Sequence, residues 1–299
     1  MVVNEITSSV QKSSAKSVLV GAMIATAGLS FGTLTFAYNN DTGHSEYTEI
    51  TNSTDAKADP SKDYLLHSSD VNTDYTILAG TDKYKARAVN ARFSIAIGAY
   101  STVSAGGSEV IYESIAIGNG AYSQSSGQTL LGSRAHGFGE YVTAIGYGTE
   151  VNGSKAVAFG YLAGAYGDSS IAIGSNAGTQ GSNTIAFGTD SRATEPGAIA
   201  IGYKSVSEIG DHGVAIGYEA QTRGGVSLGK ESNSATYSVA LGMKSSANNE
   251  YSSAVGYGTQ VIGRLGTAVG YEAQSKNGGT AIGAQSLADV GASLGGYIP

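Results

Sequence analysis

Ser170-Ile171-Ala172-Ile173-Gly174 is the stretch that decides how this chain is read, because it does not occur once but recurs in phase. The glycine of the apolar-Ala-apolar-Gly motif returns at 98, 118, 132, 146, 160, 174, 188, 202, 217, 229, 242, 256, 270, 283 and 295. Six successive intervals from 118 to 202 are 14 residues long, and the later ones range from 12 to 15. Self-similarity at a short fixed period is the mark of a solenoid, in which each repeat completes its surface only against its neighbours.

Each copy reads as two short strands and two turns. Ile171 and Ile173 lie two apart and share one face of a strand, while Ala172 points to the other. The residue before the glycine is always Ile, Leu, Val or Phe, from Ile97, Ile117 and Leu131 to Leu294. That regularity identifies it as the core column, with the glycine ending the strand at a positive φ that a Cβ would penalise. Three residues later the side chain is small, as at Ala121, Ala135, Ala163, Ala177, Ser191, Ser205 and Ala220. Small residues return two further on, at Ala165, Thr179, Ala193 and Ser207, which makes a second strand facing the first. Glycines at 139, 153, 167, 181, 224 and 263 mark the second turn. The expected fold is all-β, a parallel solenoid of coils of about 14 residues.

Two aliphatic side chains per coil do not offset the entropy of ordering the coil, so more surface must be buried than one chain buries alone. The position between the two apolar residues, outward on this reading, is Ala in twelve of fifteen coils. A solvent-facing strand position varies, and one kept at Ala implies the close approach of another backbone. The expectation is a homo-oligomer in contact through Ala144, Ala158, Ala172, Ala186, Ala200 and Ala215.

Outside the repeat the chain changes character. Residues 18–37 carry no charge and follow Lys12 and Lys16, the order of a secretory signal peptide spanning 1–37. The segment 38–93 holds nine Asp/Glu and six Lys/Arg with no repeat, and reads as a leader or tip. Asp74 to Ala79 within it has the pattern of a strand. His44 and His67 stand 23 residues apart without companions and read as solvated loop residues. Residues 94–299 are the repeat domain.

Composition supports this division. Gly is 44 of 299 residues, Pro only 3, and charged residues are 14%, which excludes a disordered Pro/Gly tract or a charged disordered chain. The absence of Cys excludes thiolate zinc sites and thiol chemistry. A net charge of −7 with no basic run argues against nucleic acid as a partner.

The motif Ser-Ile-Ala-Ile-Gly-x-x-Ala, as it stands at Ser94–Ser101 (with Ser last), Ser114–Ala121 and Ser170–Ala177, resembles the head repeat of YadA-like trimeric autotransporter adhesins. The likeness runs from about Phe93 to Gly295. It implies a left-handed parallel β-roll, a homotrimer displayed on the bacterial surface or outer membrane, and binding to collagen, other matrix proteins or host cells. It also implies a neck, a coiled-coil stalk and a membrane anchor, none of which is readable in Gly295-Gly296-Tyr297-Ile298-Pro299. A truncated product, a released head and one piece of a longer protein all accommodate this.

Rival readings are weaker. A left-handed β-helix acyltransferase needs an 18-residue coil of three hexads and a positioned histidine, whereas His136 and His212 fall in unrelated coils and read as solvated turn residues. Calcium rolls need a Gly-Gly-x-Gly-x-Asp series that is absent, and no nucleophile elbow, P-loop or His-Glu-x-x-His occurs. A phage-type host-recognition fibre shares the architecture but not the export signal. The expectation is therefore a non-enzymatic binding module without cofactor or metal. Its candidate ligand surface is the column Tyr147, Tyr161, Tyr203, Tyr218, Tyr257 and Tyr271, each directly after a motif glycine and stacked from coil to coil. The same column also reads, and more simply, as a stack that stiffens the turn.

Overall fold

A computed structural model describes residues 86–105, 109–210 and 212–289, together with the strand backbones of 34–36, 48–50, 65–66, 77–79 and 292–294. The expected signal segment, apart from 34–36, and His44 and His67 lie outside the described residues. The strands Leu34–Phe36, Thr48–Ile50 and Leu65–Leu66 pair antiparallel with one another.

Nearly everything else in regular structure is two parallel sheets, one per strand of the coil; a short parallel pair, Ala91–Arg92 with Ile111–Tyr112, stands apart. The motif strands form a 16-stranded sheet and the second strands a 15-stranded one, each coil pairing with the coils before and after it. Register is strict: Ile171, Ala172 and Ile173 lie opposite Ile185, Ala186 and Phe187. The ladder continues through the turns, where the Gly174 amide donates to the Phe159 carbonyl at 2.8 Å and the Asn176 amide to that of Tyr161 at 2.7 Å. The stack starts earlier than the repeat. Ile77–Ala79 pairs with Ile95–Ile97 and Arg87–Val89 with Thr102–Ser104, so part of the expected leader belongs to the solenoid.

The motif glycines carry φ between +121° and +148° from Gly98 to Gly283, as the sequence implied. From Gly98 to Gly270, a Cβ would also overlap the carbonyl of the next coil's glycine. Both the turn and the stacking distance therefore require glycine there.

The two faces of the motif strand are the reverse of the expectation. Ala144, Ala158, Ala172, Ala186, Ala200 and Ala215 point into the coil and are 0% exposed within a single chain. They have no surface left to give a partner, and the residues flanking them face outward. In the coil that begins at Ser170, the inward residues are Ser170, Ala172, Ala177 and Thr179, all buried. Two strands folded back to back within 14 residues leave a space filled mostly by Ala, Ser, Thr and Val, so most of the bulk is forced out. Leu130, the largest fully buried side chain among the described residues, fits because the facing position is Gly137. A Cβ on Gly137 would come within 2.9 Å of Leu130 Cδ2.

Where the period slips, between 202 and 242, the interior turns from methyl groups to hydroxyls. Ser227 Oγ donates to Ser234 Oγ, and Ser234 Oγ to Thr222 Oγ1, both at 2.8 Å. These buried hydroxyls satisfy one another across coils of unequal length, which an apolar filling does not do.

Candidate binding surface

A coil offers two broad outer faces and two turns. On the motif sheet, the outward residues before the glycine include Ile97, Leu131, Phe159, Phe187, Ile216, Leu228 and Ile282, all exposed. Two residues earlier stand Ile95, Ile115, Val157, Ile171, Ile185 and Ile199, half-buried or exposed. This is an apolar strip along the sheet that nothing among the described residues covers. Contiguous apolar surface of this extent marks an interaction site.

The second sheet's outer face is different in kind. Its outward column reads Tyr122, His136, Glu150, Gly164, Gly178, Arg192, Val206, Gln221, Asn233, Ser246, Gln260 and Gln274. His136 is thus a strand residue, not a turn residue, and packs edge-on against Tyr122 and Phe138 at 6.2 and 6.3 Å between ring centres. Tyr166 leans across Gly164, and its hydroxyl is pushed up in pKa by burial first and then by the Glu150 carboxylate to which it bonds.

The six tyrosines after the motif glycines come together as three separate pairs. Tyr147 stacks on Tyr161 at 5.6 Å, Tyr203 on Tyr218 at 5.2 Å, and Tyr257 on Tyr271 at 5.4 Å. Ser175 and Thr189 interrupt the column after the first pair, and Lys230 and Met243 after the second. Cations edge the first two pairs: Arg134 lies 5.9 Å from the Tyr147 ring centre, Lys204 5.1 Å from that of Tyr203, and Lys230 5.3 Å from that of Tyr218. Neighbouring carboxylates raise the tyrosine hydroxyls, Tyr218 through the charge of Glu219 and Tyr271 through a hydrogen bond to Glu272.

A fourth pair, Tyr237 on Tyr251 at 5.4 Å with Arg264 beside it, lies on the second turn and was not anticipated. Its 14-residue spacing was the available signal. No cluster of metal-ligating side chains exists among the described residues, and no helix among them is long and apolar enough to cross a membrane.

Parallel coils with a buried Ala column, a turn glycine and a small-residue second strand are the geometry against which the known repeat families are compared. Residues 152–177, 180–205 and 234–259 match the family model of the YadA head domain repeat, in its two-copy form. These coils are YadA head repeats. The coils between and beside the matched segments, from the motif glycine 98 onward, share the same two-sheet register. No curated protein matches the chain. The match is to a repeat of adhesin heads and suggests a function of the adhesin kind.

Proposed function

We propose that the solenoid is the head of a YadA-like trimeric autotransporter adhesin, a left-handed roll that binds a host matrix protein such as collagen, or a host cell surface, without catalysis or cofactor. The observation that carries the assembly is the aliphatic strip of the motif sheet. Three copies turning Ile97, Phe159, Ile173, Phe187 and Ile216 toward a common axis cover it, whereas a monomer leaves it in water. The residues between them, buried in their own chain, leave that contact to the aliphatic pair. The second sheet then faces out as the display surface, with the tyrosine pairs on the turns as ligand contacts. Residues 1–37 direct export in this reading, and the exported head stands on the cell surface or in the medium according to whether it is anchored.

The test is the purified chain in light scattering and in a solid-phase assay on collagen, fibronectin and whole cells. A mass of three chains with binding to at least one of these substrates is the expected result. A folded monomer removes the assembly, and a trimer that binds none of the three removes the adhesin.

A further inference from the structure

Between the first-turn ridge and the outer face of the second sheet, over the coils from Lys244 to Leu287, lies a cleft of about 520 Å³. That volume is in the range of ~300–1,000 Å³ typical of small-ligand sites. Gly258 lines it at the turn. Two residues after each motif glycine the backbone is left-handed, and the neighbouring coils carry Lys244, Glu272 and Gln285 there with φ of 58°, 50° and 55°. The conformation therefore does not demand glycine. Nor does space: a Cβ on Gly258 would meet only Glu272 Cγ at 3.3 Å, in a half-exposed, flexible side chain. Glycine also stands at this position at 120 and 148, but at 258 the bare turn lies beside the outward glutamines of the second sheet.

The chemistry of the walls selects the occupant. Gln260 and Gln274 point outward from adjacent strands in register, and Gln285 donates from Nε2 to Glu272 Oε2 at 3.3 Å. Three carboxamides offer donors and acceptors side by side without charge, which matches groups that themselves both donate and accept. The rim carries one cation and one carboxylate, each already engaged, Lys244 with Glu231 at 4.0 Å and Glu272 with Gln285, so neither is free to hold an ion. Tyr257, backed by its stack on Tyr271 and 38% exposed, contributes the one flat apolar wall. A ring with hydroxyls on its edge and C–H groups on its face satisfies all of these at once.

We propose that this cleft is a binding site for a neutral saccharide, a pyranose unit seated on Tyr257 with its hydroxyls on Gln260, Gln274 and Gln285. It deepens the adhesin reading and rests on it for the source of the glycan. It opens on the side opposite the aliphatic strip, so trimer formation leaves it accessible.

The full chain is tested against polyacrylamide conjugates of lactose, N-acetyllactosamine and mannose, with sialyllactose conjugate and heparin as charged arms. At least one neutral conjugate is retained, and Gly258→Gln, which closes the ridge with a side chain its neighbours already carry, weakens retention by about tenfold or more. Gly120→Gln is the control, at the same left-handed position in another coil, where a Cβ would meet only Arg134 Cγ at 3.9 Å. It carries the same modest left-handed strain as Gly258→Gln, melts slightly lower, and binds like the parent. A chain that binds collagen or cells but no neutral conjugate overturns the cleft and leaves the adhesin standing. Retention unaffected by Gly258→Gln, or preference for the charged arms, overturns it as well.

Discussion

Along five successive coils the outward position of the motif sheet reads Ile145, Phe159, Ile173, Phe187 and Ile201, while that of the second sheet reads Glu150, Gly164, Gly178, Arg192 and Val206. Both columns sit on strands with the same period, the same ladder and the same inward neighbours of Ala, Val, Ser and Thr. The backbone therefore imposes none of the difference between them. What differs is what each face meets. A face that stays bulky and apolar through every coil answers to a repeated partner surface, which a copy of the same chain supplies in matching repeats. A face that changes at each coil answers to water or to ligands that touch it at particular places.

The largest expected effect comes from breaking the uniform face. Ile173→Glu with Ile201→Glu places two carboxylates in the proposed trimer axis, where a buried unpaired charge is strongly destabilising. Light scattering should show the mass falling from three chains to one. Gln260→Glu, the same charge on the variable face, should leave the mass unchanged. A trimer surviving the double substitution would place the interface elsewhere.

The second test strikes the interior that both faces share. Ala172→Leu forces bulk between the two sheets and should cost about 1–3 kcal/mol or more, read as a lower melting temperature. The chain itself shows the compensation, since Leu130 is accommodated opposite Gly137. The facing residue in the Ala172 coil is Thr179, so Thr179→Gly added to Ala172→Leu should recover part of the loss, although each change alone destabilises. Additive losses would show that the strand backbones, not the facing side chain, set the room available.

This same interior explains what the sequence did and did not reveal. The period, the paired strands, the turn glycines and the tyrosine contacts followed from spacing, because each depends only on residue separation. Which alternate residue lies inside did not. A period of two defines two faces without assigning them, and hydrophobicity assigned Ile173 to the inside of a coil from which it faces outward. Ala172 was then left for the outside. The cleft was illegible for another reason. It depends on the bare turn at Gly258 falling beside Gln260 and Gln274, and turn geometry had to be known before a missing side chain could be seen as an opening.

Two glycines four residues apart sharpen the division between backbone and surface requirements. Gly174 has φ +134° and would overlap the Gly188 carbonyl, so Gly174→Ala should destabilise by about 1–3 kcal/mol. Gly178 lies on the outer face of the second strand, without a positive φ, and a Cβ there meets nothing within 4 Å. Gly178→Ala should be neutral or stabilise by ~0.4–1 kcal/mol through the unfolded chain. Thermal melts of the two variants compare them directly. Equal losses would mean that the second strand tolerates no added side chain at that coil.

The smallest effect is expected on the turns that join the two faces. Stacked aromatic pairs are worth ~0.5–1.5 kcal/mol beyond the area they bury. Tyr147, Tyr161, Tyr203 and Tyr218 are 39% to 56% exposed, so each has one side in the stack and one in solvent. Replacing all four by Ser removes two stacks and their cation contacts, and should lower the melting temperature slightly while the trimer persists. If the tyrosines also touch ligand, collagen and fibronectin binding should weaken without vanishing. Contacts repeated at fixed spacing add through multivalency, and the Tyr257–Tyr271 and Tyr237–Tyr251 pairs remain. Binding that is unchanged while the melt shifts would confine the tyrosines to stiffening the turn and leave recognition to the variable face of the second sheet.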